Sequence, residues 1–159
     1  MLRPRIIPCL LMSNNGLVKT VKFQKPKYIG DPINAVKIFN EKKVDELIIL
    51  DIDASKNSKS PDLKKLEVIA NESRMPLTYG GGITTVEQAK NIIALGYEKI
   101  SISSYALDNI EIIEKISNAI GSQSVVVTFD YKKNYLTKNY NIFSLNGTKK
   151  HNQNIFNLA

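Results

Sequence analysis

Short apolar runs rich in β-branched residues punctuate the chain at 5–12, 46–53, 76–79, 99–104 and 124–130. Each is near-continuous rather than alternating, the pattern of parallel strands covered on both faces. The segments between them have helical spacing. The first predicted helix opens with Asp31 as N-cap and Pro32 in its first turn, and sets Ile33, Val36 and Phe39 on one face. The second starts at Ser60 and Pro61 and buries Leu63, Leu66 and Ile69 or Ala70. The third begins with a capping box from Thr84 to Glu87, carries Val86, Ala89 and Ile93, and stops at Gly96. The fourth covers about 107–120, with Ile113, Ile116 and Ile120 inward and Gly121 at its end.

Strand and helix thus alternate up to a fifth strand, which leaves two parallel architectures, the closed barrel and the open doubly wound sheet. The pattern does not choose between them. Beyond Asp130, residues 131–153 alternate Tyr, Leu, Ile and Phe with Lys and Asn around Asn146 and Gly147, which predicts an excursion hairpin on a βα loop. The whole of 1–159 then reads as one domain, with 154–159 starting a further helix. An unclosed barrel exposes the edges of its first and fifth strands. The expectation is that more of the barrel, a second copy or another polypeptide covers them.

Composition narrows the class. With 43% apolar and 23% charged residues, the chain has material for one core. The apolar run at 6–12 is interrupted by Pro8 and too short for a membrane span, so the expectation is a cytoplasmic protein with no membrane contact. Cys9 is the only cysteine, which excludes an internal disulfide, and its apolar neighbours predict a buried, inert thiol. The only histidine, His151, lies in a polar stretch, and no motif points to a metal or a nucleotide redox cofactor. The net charge is +7, from 22 Lys and Arg against 15 Asp and Glu. The lysines are spread over helix faces and 131–150 with no aromatic-interleaved motif, so small anions or solubility account for them better than nucleic acid.

In parallel α/β proteins chemistry gathers at the C-terminal ends of the strands. Those ends carry Leu11 and Met12, Asp51 and Asp53, Gly80-Gly81-Gly82, Ser103-Ser104 and Asp130. The glycines precede a capped helix, so their amides can converge on a phosphate; a tight turn needing positive φ explains them equally well. Ser103 and Ser104 are placed to donate to the same phosphate. Asp130 follows Val125, Val126 and Val127, where a carboxyl can serve as general acid or base. Asp51 and Asp53 read as catalytic groups or, equally well, as strand-end residues that cap loops or pair with lysines. At the opposite strand ends, Arg5, Glu46 and Lys99 predict an ion-paired ring or ordinary surface charges.

The segments Arg5-Ile-Ile-Pro-Cys9, Gly16-Leu-Val-Lys19, Gly30-Asp-Pro32, Asp45-Glu-Leu47, Leu50-Asp-Ile52, Gly80-Gly-Gly-Ile83 and Gly121-Ser-Gln-Ser-Val-Val-Val127 through Asp130 resemble the cyclase subunit of imidazole glycerol phosphate synthase. The similarity runs from Met1 to about Lys133. It implies a (β/α)8 TIM barrel, here its first five strands and four helices. It also implies a glutaminase partner that releases ammonia at the bottom of the barrel, for use on a phosphorylated substrate at the top. By the same resemblance Arg5, Glu46 and Lys99 match members of the ammonia gate. Gly81, Gly82, Ser103, Ser104 and Asp51 fall in the phosphate and substrate region, and Asp130 matches one of two catalytic aspartates. Where the family has Asn and Thr, this chain has the two serines.

The second aspartate is replaced: the family pattern Ile-Pro-Cys-Leu-Asp reads Ile7-Pro8-Cys9-Leu10-Leu11 here. Leucine transfers no proton. With Asn15-Gly16-Leu-Val-Lys-Thr-Val-Lys-Phe23, the sequence looks more like a paralogous branch linked to acetamidino modification of bacterial surface sugars. That branch implies a glutaminase, a separate sugar amidotransferase and a nucleotide-sugar or glycan substrate. The alternatives are cyclisation in histidine biosynthesis and an inactive truncated scaffold.

Overall fold

The computed structural model describes residues 3–21, 24–133 and 140–151. Five of the strands are parallel: β1 (Cys9–Ser13), β4 (Leu47–Asp51), β5 (Leu77–Gly80), β6 (Lys99–Ile102) and β7 (Val125–Val127). The sheet nonetheless has seven strands, ordered β3-β2-β1-β4-β5-β6-β7, because an antiparallel hairpin of β2 (Gly16–Val21) and β3 (Gln24–Gly30) extends it. The strand count of five is therefore corrected. The turn into β2 is made by Asn14 and Asn15, both at positive φ (46° and 71°), the geometry of a primed two-residue hairpin turn.

Helices α1 (Pro32–Lys42), α2 (Leu63–Glu72), α3 (Val86–Ala94) and α5 (Glu111–Ile120) pack against one face of the sheet. Their buried residues Val36, Leu66, Ile69, Ala89, Ile92 and Ile116 meet Leu47, Ile49, Leu77, Tyr79 and Ile100 from the strands. Asp31 caps α1 as expected, accepting from the Asn34 amide. Three boundaries shift. The N-cap of α2 is Asp62, so Ser60 and Pro61 lie in the preceding loop. The capping box of α3 is one residue later than predicted, Thr85 with Gln88, since Gln88 rather than Glu87 folds back. The fourth predicted helix is two, the short α4 (Ser104–Asp108) and α5, divided where Asn109 takes an extended φ of −141°.

Strand register fixes what the uncovered face presents. Cβ directions alternate along a strand, and Leu10, Ile49, Tyr79, Ile100 and Val125 are paired in one row against the helices. Leu11, Leu50, Gly80 and Ser101 form a row on the opposite face. Cys9 shares their side, and it is exposed rather than buried, so the expectation of a buried thiol was wrong. Leu10 beside it packs against the core; Cys9 does not.

The excursion after β7 is a second, three-stranded antiparallel sheet, β8 (Asp130–Lys133), β9 (Tyr140–Ser144) and β10 (Lys149–His151). The predicted hairpin is its β9–β10 half, turning through Leu145, Asn146 and Gly147, all at positive φ. His151 is buried, with its Nε2 2.7 Å from the Ser144 hydroxyl. The stretch predicted to start a further helix, 154–159, and the part of the excursion at 134–139 lie outside the described residues.

Candidate active site

The C-terminal strand ends converge on a cavity of about 140 Å³. Asp51, Gly81, Gly82, Ser103, Ser104 and Asp130 all line it. Six positions separated by up to 79 residues in sequence are thus brought to one place by the parallel sheet.

The loop after β4 is built by its own carboxylates. Asp51 Oδ1 accepts from the amides of Asp53 and Ala54 at 3.0 and 3.1 Å, which folds the chain back over the sheet end. Asp53 Oδ2 in turn accepts from the Ser13 hydroxyl at 2.6 Å and the Asn14 amide at 3.2 Å, and so anchors the β1–β2 turn. Both aspartates therefore serve as loop caps, one of their predicted uses; Asp51 also stays on the cavity wall.

The glycines are required by sterics as well as by backbone conformation. Gly81 and Gly82 have φ of 129° and 68°, and a Cβ would lie 2.5 Å from the Asp51 carbonyl oxygen and 2.2 Å from that of Lys59, respectively. The amides of the following helix start are already occupied: Gln88 Oε1 accepts from Thr84 and Thr85 at 2.8 and 3.1 Å. The Gly82 amide donates to the Ser55 hydroxyl at 3.3 Å. An anion in the cavity would then rely most on the hydroxyls of Ser103 and Ser104. Ser104 Oγ accepts from the Leu145 amide at 3.2 Å, which leaves its proton to donate elsewhere.

Asp130 opens β8 just past the end of β7 and is half-buried. Burial pushes its carboxyl above the ordinary carboxylate range. A carboxyl tuned upward by desolvation can hold a proton for general acid work. Leu11 lines the same cavity and gives it an apolar wall.

At the other end of the strands Arg5, Glu46 and Lys99 do meet. Glu46 is ion-paired to Arg5 and, through its other oxygen, to Lys99 at 3.1 Å. Lys99 also reaches Glu98 at 2.8 Å, and the Glu98 bond, with the Glu46 bond behind it, raises the Lys99 pKa against the opposing effect of burial. Glu46 is the buried member, at 7% exposure, so the cluster is an ion-paired group at the strand starts rather than three free surface charges.

Residues that the sequence did not single out complete the site. Asn146 lines the cavity and donates its side-chain amide to the Ile52 carbonyl at 2.9 Å, docking the excursion sheet over the strand ends. Ser55 and Thr128 also contribute to the wall. Among the described residues, no group of three or more His, Cys, Asp or Glu is placed to hold a metal ion, and no helix is long and apolar enough to cross a membrane.

The sequence profile of the family described as histidine biosynthesis protein matches residues 5–159. The chain belongs to that family. A protein of Leptospira interrogans, named provisionally as the imidazole glycerol phosphate synthase subunit HisF, is 56% identical over 94% of this chain and 59% of its own length. A Pseudomonas aeruginosa protein with the corresponding provisional name, hisF2, is 52% identical over 94% of this chain and 59% of its own. The imidazole glycerol phosphate synthase subunit HisF of Exiguobacterium sibiricum is 41% identical, again over 94% and 59%. The chain thus spans about three fifths of the length of the curated relatives it matches.

Proposed function

We propose that this chain forms the cyclase-type synthase side of a glutamine amidotransferase complex, taking ammonia from a glutaminase subunit to a phosphorylated substrate at the Asp130 cavity. The names of its relatives support the HisF-like part of this reading. Its five parallel strands would be the first five of a (β/α)8 barrel. Their order follows the sequence without reversal and their helices lie on one face, whereas a doubly wound sheet reverses order and carries helices on both faces. The uncovered row of Leu11, Leu50, Gly80 and Ser101 would then face the barrel interior, between the Arg5–Glu46–Lys99 cluster below and the cavity above.

Within that class, the reading supported best is the branch that supplies ammonia for acetamidino modification of surface sugars, with a nucleotide-sugar or related substrate and a separate sugar amidotransferase. One observation carries it: Leu11 shares the cavity with Asp130, so an apolar side chain takes the place that the resemblance gives to a second catalytic carboxyl, and Asp51, the other carboxylate on the wall, is committed to the Asp53 and Ala54 amides. Loss of a positioned acid or base costs about 10² to 10⁴ in rate. Expression in a histidine auxotroph tests this directly. No rescue by the natural sequence, with rescue or partial rescue by Leu11→Asp, is the expected result. Rescue by the natural sequence would return it to histidine-pathway cyclisation.

A further inference from the structure

Beside the cavity lies a larger cleft, about 710 Å³, between the β2–β3 hairpin and the excursion sheet. Lys25 reaches it from β3, Lys56 from the loop after β4, and Lys132 and Lys133 from β8. These lysines come from three separate segments of the chain and are exposed, and among the described residues none forms an ion pair. The carboxylates on the same wall are Asp53, whose Oδ2 is committed to Ser13 and Asn14, and Asp130, which is half-buried at the edge shared with the cavity. Four lysines against two aspartates leave a formal excess of two positive charges around one concavity, which focuses a positive potential that an anion relieves.

The cleft is continuous with the cavity, since Ile52, Asp130 and Asn146 line both. A ligand with one end at Asp130 can therefore extend into it. We propose that the cleft is an anion subsite that holds a diphosphate-class group of the substrate. Two adjacent phosphates match a spread of four point-charge donors better than one does. The volume left over admits the group the diphosphate carries, beside Phe143, which shares the Asp130 face of the excursion sheet. As a place for the substrate, the subsite rests on the reading of the cavity as the active site; as a binding site it stands or falls alone.

Calorimetric titration of the chain with inorganic phosphate and with inorganic diphosphate tests it. The double variant Lys132→Ala/Lys133→Ala should bind diphosphate at least about tenfold more weakly, and Lys25→Ala and Lys56→Ala each about threefold, with a flatter salt dependence in every case. Lys64→Ala/Lys90→Ala, the same charge change on exposed helix positions away from the cleft, should leave diphosphate binding as it was. Unchanged affinity in the first double variant, or an equal loss in the second, overturns the subsite. Ser103→Ala and Ser104→Ala read the cavity separately, since both serines line it and neither lines the cleft. If they leave inorganic phosphate binding untouched while the lysine effect persists, the active-site reading fails and the cleft stands.

Discussion

The Leu145 amide donates to the Ser104 hydroxyl at 3.2 Å, so the tip of the excursion sheet is fastened to the first residue of α4. Leu145 holds a left-handed φ of 51°, which a bulky residue adopts only when its surroundings impose it. The neighbouring bond from Asn146 to the Ile52 carbonyl makes the second fastening. The same hydroxyl thus orders the tip and retains a proton for a ligand. Ser104→Ala should weaken inorganic phosphate binding about tenfold and lower stability by about 1 kcal/mol. Ser104→Thr, which keeps the hydroxyl, should retain most of both. Calorimetry and urea unfolding measure the pair, and equal losses in the two variants would show that the hydroxyl does neither job.

The glycines offer a separation of sterics from backbone strain. Gly82 (φ 68°) has no room for a Cβ, which would meet the Lys59 carbonyl oxygen at 2.2 Å, whereas Gly96 (φ 100°) has nothing within 4 Å. Gly96→Ala should cost about 1 kcal/mol, the price of the φ alone. Gly82→Ala should cost roughly 1–3 kcal/mol more, because the loop carrying Lys59 must move. Chemical denaturation of both variants decides it, and equal costs would mean that this loop yields freely.

A different asymmetry is expected in the lower charge cluster. Arg5 is mostly exposed at 62%, while Lys99 is 20% exposed and contacts Glu46, itself at 9% for its side chain. Arg5→Ala should cost no more than about 1 kcal/mol. Lys99→Met leaves the buried Glu46 with only a solvent-exposed partner and should cost about 1–3 kcal/mol. The two substitutions measured singly and together should be non-additive, since both partners share one carboxylate. Strict additivity would place the ion pairs outside the stability of the fold.

How far the sequence could be read follows from the range of each signal. Buried strands and amphipathic helices declare themselves locally, so Val36, Leu66, Ala89 and Ile116 are all in the core as their spacing predicts. The β2–β3 hairpin escaped because its residues are mostly exposed beyond Val18, and a strand with little buried face has little hydrophobic pattern. Cys9 misled because an apolar neighbourhood in sequence says nothing about which face of the sheet a side chain takes. The gathering of Asp51, Gly82, Ser103 and Asp130 was legible once strand ends were counted, whereas Asn146 was seen only as a turn residue. Its docking on Ile52 spans 94 residues, a distance over which no local pattern operates.

Asp130 carries the prediction that joins stability to function. Burial raises its carboxyl pKa in the folded chain above that of the unfolded chain. The fold therefore favours the protonated form. The stability associated with that form is fully present below the ordinary carboxylate range and is lost as pH rises through the raised value. Once ionised, the half-buried carboxylate is a net cost to the fold. Asp130→Asn removes the ionisation with little change of shape, so it should melt above the unsubstituted chain at neutral pH, and the difference should close on acidification. Ammonia-dependent turnover in the assembled complex should meanwhile fall by about 10² to 10⁴. Thermal melts across pH, paired with that assay, separate the two effects. A variant less stable at neutral pH would mean that the Asp130 charge is held by a partner rather than desolvated, and its role as proton carrier would go with it.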